Sequence, residues 1–312
     1  MDILFAGTPD FAVNCLAEIY ESKKINICGV ITQPDRKRGR GQKMQSTPVK
    51  KKAEELNLKV YTEKNINKPS FIDKLKEISP EAIVVVAFGQ KLSQEILSLP
   101  DYGCINLHAS LLPQYRGACP IHKAIINGDK VTGVTTMYMD EGWDTGDIIY
   151  KEKVEIGIKD TVGLLHDKLA QIGSRLLVKT LLDVEKDDAP RKEQNENKAS
   201  YACKFDKSIG EIDWNKSAEE IYNLVRGVNP WPCAYTKIDN KLLKIWEVEI
   251  ESKERVKADP GSVIQPSMDK GLIVQTGKGL INIKKLQLAG RKKMSVEKFL
   301  CGYNIDKGEK LE

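Results

Sequence analysis

The sequence predicts a doubly wound α/β domain followed by a smaller β-rich domain, and three observations carry that prediction. Apolar strand-like runs alternate with helical periodicity through the first half of the chain. One of those runs, AIVVVAF at 82–88, is apolar without a break, as a strand covered on both faces requires. Beyond a polar stretch at 184–200, short strands follow one another closely.

The elements follow in order. DILFAG (2–7) is a first strand, and residues 10–22 place Phe11, Val13, Leu16, Ile19 and Tyr20 at helical spacing. ICGVIT (27–32) is a second strand, followed by a basic loop. Thr47-Pro48 then supplies a cap and a first-turn proline for a helix. A short strand at 59–61 and a helix at 69–78 lead into the apolar strand at 82–88. A short helix, a strand running into Asn106 and a helix at 120–128 come next. GVTTMYMD (133–140) and DIIYKEKVEI (147–156) read as a strand pair closing the sheet, and a long amphipathic helix covers 161–183. VEKDDAPRKEQNENKAS (184–200) has linker composition. The expected division is a catalytic domain over 1–190, a linker over 191–205 and a second domain over 206–312. In that domain, runs at 241–250, 261–265, 272–276 and 280–288 suggest a small β-barrel or sandwich.

Bulk composition narrows the classes. The 312 residues are 41% hydrophobic and 30% charged, enough for a core and a hydrated surface. No window approaches the roughly 18 apolar residues of a membrane span, and the N-terminus shows no secretory or organelle signal. Seven cysteines without a CxxC pair argue against a disulfide framework or a zinc site and for buried free thiols in a reducing cytoplasm. Net charge is +5, concentrated in two places. RKRGRGQK (36–43) holds five basic side chains and no acid, and residues 270–300 hold eight Lys or Arg and one Glu. Separated basic patches of this kind can mark a polyanion partner or simply a hydrated surface.

The chemistry-bearing stretch is CINLHASLLPQYRG (104–117). Asn106 and His108 lie two apart in an extended run, so both project from the same face of a strand end. Ligands of parallel α/β sheets bind at such ends. MDEGWDTGD (139–147) brings four acids into a glycine-containing loop, from which Asp144 can reach and orient the imidazole. An amide, an imidazole and a carboxylate suit acyl transfer to an amine that brings its own nucleophile: Asn106 donates to a developing oxyanion, and His108 adds a donor or a proton. Each residue also has a structural reading, as a strand end, a packed histidine or a turn residue. His122 and His166 sit in helical patterns and read as structural. Ser110 lacks a GxSxG elbow, GTPDFA (7–12) has one glycine where a dinucleotide fingerprint needs three, and no HxxxH or HxH spacing supports a metal.

NLHASLLPQYRGACPIHKAI (106–125) and MDEGWDTGD (139–147) closely resemble the folate-dependent formyltransferases. FAGTPDFA (5–12), QPDRKRGRGQKMQSTPVK (33–50), VNPWPCAYT (228–236) and LAGRKKMSVEKFLCG (288–302) extend the likeness over the whole chain, most closely to those members that formylate methionyl initiator tRNA. Cys119 and Cys233 are slight departures, at positions where members more often carry small residues. The resemblance implies a Rossmann-like domain, then a β-barrel of OB type. It implies catalytic roles for Asn106, His108 and Asp144, and folate contacts from Ser110, Leu111, Leu112 and Pro113. It further implies 10-formyltetrahydrofolate as formyl donor with no metal, and methionyl initiator tRNA as acceptor. The chain is then expected to be cytoplasmic, monomeric and free of membranes. The basic segments would hold tRNA phosphates through Arg36, Lys37, Arg38, Arg40 and Lys43, with Arg40 foremost, and through Lys284, Lys285, Arg291, Lys292 and Lys293. The rivals are a formyltransferase acting on a small amine, a 10-formyltetrahydrofolate hydrolase and a non-catalytic RNA-binding module.

Overall fold

The most deeply buried strands form where apolar residues run unbroken. The computed structural model describes every residue except Gly39, Arg40 and Arg255, so the expectation for Arg40 lies outside the described residues. The chain begins with β1 (Asp2–Gly7), α1 (Asp10–Ser22), β2 (Asn26–Thr32), β3 (Arg36–Arg38), β4 (Lys43–Gln45), α2 (Pro48–Glu55), β5 (Val60–Thr62), α3 (Pro69–Ile78) and β6 (Ala82–Val86). It continues with α4 (Gln94–Leu97), β7 (Cys104–His108), α5 (Pro120–Ile126), β8 (Val131–Tyr138), β9 (Ile148–Glu155) and α6 (Val162–Glu185). Contacts divide the chain into two units. The first comprises Met1–Pro120, Val131–Glu155 and His166–Ala202, and the second Ile121–Lys130, Ile156–Leu165 and Cys203–Glu312.

In the first unit seven strands pair in the order β5-β2-β1-β6-β7-β8-β9. The first five run parallel, and β8 and β9 are antiparallel. The path leaves β1 toward β2 and β5 and returns to β6 on the other side, so the order reverses at β1–β6, where ligands collect in such sheets. Every residue of β6 and β7 is buried, β6 because it is central and apolar, β7 although it carries Asn106 and His108. Leu4, Ala6, Ile83, Val85 and Cys104 share one core with Phe71, Leu75 and Ile96 from the helical layer. α2 starts as its sequence dictates: the Thr47 side chain accepts from the Lys50 N–H, and Pro48 occupies the first turn.

The basic segment expected as a loop is instead a two-stranded hairpin, β3 pairing antiparallel with β4 from Arg36↔Gln45 to Arg38↔Lys43. It carries no apolar alternation from which a strand could be read. The polar stretch expected as a linker is also fixed. Lys192 exchanges backbone hydrogen bonds with Ile148, and Arg116 pairs with the 200–202 segment. All seven cysteines are free; Cys15, Cys104 and Cys233 are buried, but Cys203 and Cys301 are exposed.

The second unit holds α7 (Ala218–Gly227), β10 (Ala234–Ile238), β11 (Lys241–Ser252), β12 (Val263–Ser267), β13 (Gly271–Gln275), β14 (Leu280–Leu288), β15 (Met294–Ser295) and α8 (Val296–Leu300). α7 opens with a capping box between Ser217 and Glu220. The sheet order is β10-β11-β14-β13-β12, with β15 beside β14. Its two edges are joined by the last residues of the chain. Glu312 exchanges backbone bonds with Lys237 of β10, while Gly308, Glu309 and Leu311 bond to Gly261 and Val263 at β12. Closure of this kind makes a barrel and removes both exposed edges. Residues 121–130 join this unit because Ile126 packs against its core and Gly227 leaves room for it. Among the described residues, no helix is long and apolar enough to cross a membrane.

Leu311 is 1% exposed within the closing segment. Leu311→Ala is expected to destabilise the barrel by about 2–3 kcal/mol, the lower part of the range for a buried leucine. Urea unfolding followed by tryptophan fluorescence measures it, and an unchanged midpoint would mean that the tail closes nothing.

Candidate active site

β7 delivers two polar side chains to the carboxyl edge of the sheet. Asn106 and His108 are each 7% exposed. They lie on the same face as Cys104, and β7 is paired on both sides, with Val85 opposite Asn106 in β6 and Thr135 opposite His108 in β8. A strand hydrogen-bonded on both sides cannot shift register without exposing its whole core face, so the spacing of the two groups is rigid. Among the described residues no group hydrogen-bonds the Asn106 carboxamide, which leaves its N–H donors available to a ligand.

His108 is held from two sides. Its Nε2 lies 2.9 Å from the Tyr115 carbonyl oxygen, and its Nδ1 lies 3.5 Å from Asp144 Oδ2. The carbonyl can only accept, so Nε2 carries a proton; only the doubly protonated ring can donate toward both oxygens. Asp144 Oδ2 also accepts the Gly117 N–H at 2.7 Å. Asp144 sits at φ +57°, a left-handed geometry that aspartate tolerates better than most residues. The loop around it is closely fitted: a Cβ at Gly146 would fall 1.9 Å from the Tyr138 carbonyl oxygen.

Residues 115–117 therefore grip both halves of the pair, and Arg116 between them is fully buried. Its Nε and Nη2 donate to Gln194 Oε1 at 3.2 and 2.9 Å, and its Nη1 and Nη2 donate to the two oxygens of Glu196 at 2.8 and 2.6 Å. The Glu196 hydrogen bonds raise the proton affinity of Arg116, and the guanidinium lowers the Glu196 pKa in return. Gln194 Nε2 donates to the carbonyls of Asp144 and Gly146, both at 2.8 Å. Tyr115 N–H donates to Ser200 Oγ at 2.9 Å.

The stretch expected to touch folate adjoins this cluster. Ser110 and Leu112 are fully buried, whereas Leu111 and Pro113 are half-buried and present surface. The Ser110 hydroxyl is turned inward, donating to the Gln114 carbonyl at 2.6 Å. Thr135 Oγ1 donates to the Ser110 carbonyl at 2.6 Å and accepts the Leu112 N–H at 3.1 Å, tying the segment to β8. The Lys151 ammonium donates to the Leu112 carbonyl. Desolvation, with Lys192 and Lys198 nearby, lowers the Lys151 pKa.

The structure thus brings Asn106, His108 and Asp144 to one edge with residues 110–113. Of the basic residues expected to hold phosphates, Arg36, Lys37 and Lys43 are exposed on the hairpin, with Arg36 Nη2 2.9 Å from Gln33 Oε1. In the barrel unit Lys284 pairs with Glu249 at 3.3 Å and Lys285 with Glu247 at 2.5 Å. Arg291, Lys292 and Lys293 are exposed, and the Lys293 ammonium lies over the Trp246 ring at 4.3 Å. Sequence reasoning missed Arg116, Thr135, Lys151 and Gln194. Only Thr135 left a usable trace, since pairing the 133–140 strand with the 104–108 strand places it beside His108. Among the described residues no three His, Cys, Asp or Glu side chains gather as a metal site would require.

Comparison with known proteins gives concordant results. Residues 1–181 match the family described as formyl transferase, and residues 204–304 match the formyl transferase C-terminal domain. A protein of Halothermothrix orenii named methionyl-tRNA formyltransferase is 62% identical over the full length of both chains. One of the same name from Desulforamulus reducens is 49% identical, covering 100% of this chain and 98% of its own. WlaRD, a sugar 3N-formyl transferase solved in the presence of dTDP and 5-N-formyl-THF, superposes with a TM-score of 0.66 at 23% identity, covering 94% of this chain and 99% of its own.

Thr135→Val removes a buried hydroxyl that bonds two backbone groups. It is expected to cost about 1–3 kcal/mol by leaving the Leu112 N–H and Ser110 carbonyl unsatisfied. Chemical denaturation measures the loss, and a variant as stable as its parent would mean that water replaces the hydroxyl.

Proposed function

The chain belongs to the formyl transferase family, and from that premise we propose that it transfers the formyl group of 10-formyltetrahydrofolate to the α-amino group of methionyl initiator tRNA. The observation that carries the chemistry is the rigid pair of Asn106 and His108 at the end of β7, backed by Asp144. The full-length identity to relatives named methionyl-tRNA formyltransferase carries the choice of acceptor. Since charged initiator tRNA is used in translation, the cytoplasm is the compartment this reading requires.

The donor set fits a formyl carrier. Attack by the amine places negative charge on the formyl oxygen, and this reading assigns its stabilisation to the Asn106 N–H donors, which are held on a buried strand. His108 stands beside Asn106, its ring held between the Tyr115 carbonyl and the Asp144 carboxylate. Asp144 is in turn held by the Gly117 N–H. The chemistry balances without a covalent enzyme adduct. A nitrogen–carbon bond forms to the α-amine and the carbon–nitrogen bond to N10 breaks. The amine gives up a proton and the departing nitrogen gains one, a transfer this reading assigns to His108 or a relayed water. Free α-amines titrate near pH 7.7–8.0, so the nucleophile needs little activation at neutral pH. Leu111 and Pro113 offer apolar surface beside this chemistry, suited to a flat heteroaromatic ring.

The proposed acceptor is a polyanion, and exposed cationic side chains in each unit suit its phosphates. Arg36, Lys37 and Lys43 line a hairpin that follows β2 at the carboxyl edge of the sheet. Arg291, Lys292 and Lys293 are exposed in the barrel unit, whereas the ion pairs of Lys284 and Lys285 must loosen before those two can serve.

A transfer assay tests the reading. Purified protein, 10-formyltetrahydrofolate and methionyl initiator tRNA should give formylmethionyl-tRNA, while free methionine should give no product. Formate release without formylated tRNA would make the protein a hydrolase. In the same assay Asn106→Ala is expected to lower kcat by about 10²–10³, the loss seen when one oxyanion donor is removed. Near-normal turnover would remove Asn106 from the mechanism.

A further inference from the structure

Gln194 lies in a polar stretch whose composition suggests nothing but a linker, yet it is 5% exposed and its carboxamide is saturated. A carboxamide has two N–H donors and two acceptor lone pairs. Both donors are spent on the Asp144 and Gly146 carbonyls, and both lone pairs on Arg116 Nε and Nη2. Arg116 is fixed by its two-pronged contact with Glu196. The two carbonyls that Gln194 grips flank Thr145, so the grip falls on the backbone of the residue that presents its carboxylate to His108. That backbone is left-handed at Asp144, a conformation that persists only where the surroundings over-determine it.

We propose that Gln194 is a positioning residue for formyl transfer, holding the Asp144 main chain so that its carboxylate faces His108 Nδ1. The inference rests on the transfer reading above and adds a residue that touches neither substrate. Gln194 acts through orientation alone: its N–H groups fix the loop, the loop fixes the carboxylate, and the carboxylate fixes the ring. Loss of the grip lets Asp144 leave the left-handed region, and a displacement of about 1 Å at a catalytic group is enough to cost on the order of 100-fold in rate.

The test uses the full-length protein and two variants of matched size. Gln194→Glu keeps an acceptor for Arg116 but replaces both N–H donors with oxygen facing two carbonyls. Gln194→Met keeps the volume and removes every hydrogen bond. Each is expected to lower kcat by about 10–100-fold while the KM for 10-formyltetrahydrofolate stays within about threefold, the signature of an interaction that matters only in the transition state. The chain has three histidines, so the imidazole signals of a protein labelled with ¹⁵N-histidine can be assigned. The His108 Nδ1 signal should move in both variants while those of His122 and His166 stay in place. This readout needs no turnover, so it tests the Gln194–Asp144–His108 linkage even if the parent protein proves inactive and the transfer reading fails. Variants that keep parental kcat, raise KM alone, or leave the His108 signal unmoved would overturn the proposal. Shifts at all three histidines would also overturn it, since they would show a general loss of packing.

Discussion

A guanidinium taken fully out of water is the constraint on which the rest of the catalytic edge depends. Arg116 has no exposed surface, and leaving such a charge without its partners costs about 3–5 kcal/mol. Glu196 and Gln194 meet the requirement, and both come from a segment more than seventy residues away in sequence. Satisfying Arg116 therefore brings that segment back against the catalytic unit, where it also pairs through Ser200 and Ala202. The neighbours of Arg116 then meet the chemistry: the Tyr115 carbonyl faces one edge of the His108 ring, and the Gly117 N–H faces the carboxylate on the other.

The site combines two kinds of rigidity. Asn106 and His108 take theirs from a strand paired on both sides, the most register-constrained position a sheet offers. Asp144 sits on a loop and takes its rigidity from side-chain hydrogen bonds and close-fitting glycines. On the proposed reading this division suits transfer between two bound substrates: the groups assigned to meet developing charge are fixed in advance, so little reorganisation is needed during the reaction.

Much of this was legible in the sequence, and the exceptions share a physical cause. The strand at 82–88 and the Thr47-Pro48 helix start announce themselves because burial and capping select particular residue types. Asn106 and His108 stand out because polar side chains two apart in an apolar run are unusual. Gln194 and Glu196 do not stand out: a polar side chain bonded to a distant buried partner has the same composition as one bonded to water, so residues 191–205 read as a linker. The pairing of β3 with β4 was hidden for a related reason, since short strands that bury no face need no apolar alternation. Barrel closure depends on backbone bonds from residues 308–312, which carry almost no side-chain signal.

The claim that Arg116 governs the site through Asp144 is tested most directly by a double-mutant cycle on single-turnover formyl transfer. Arg116→Lys keeps the charge but cannot reproduce the four donations of the planar fork to Gln194 and Glu196, and Asp144→Asn removes the carboxylate it is held to position. If the arginine acts through that carboxylate, the double variant will be no slower than Asp144→Asn alone. Rate losses that multiply would show two independent effects and contradict the account.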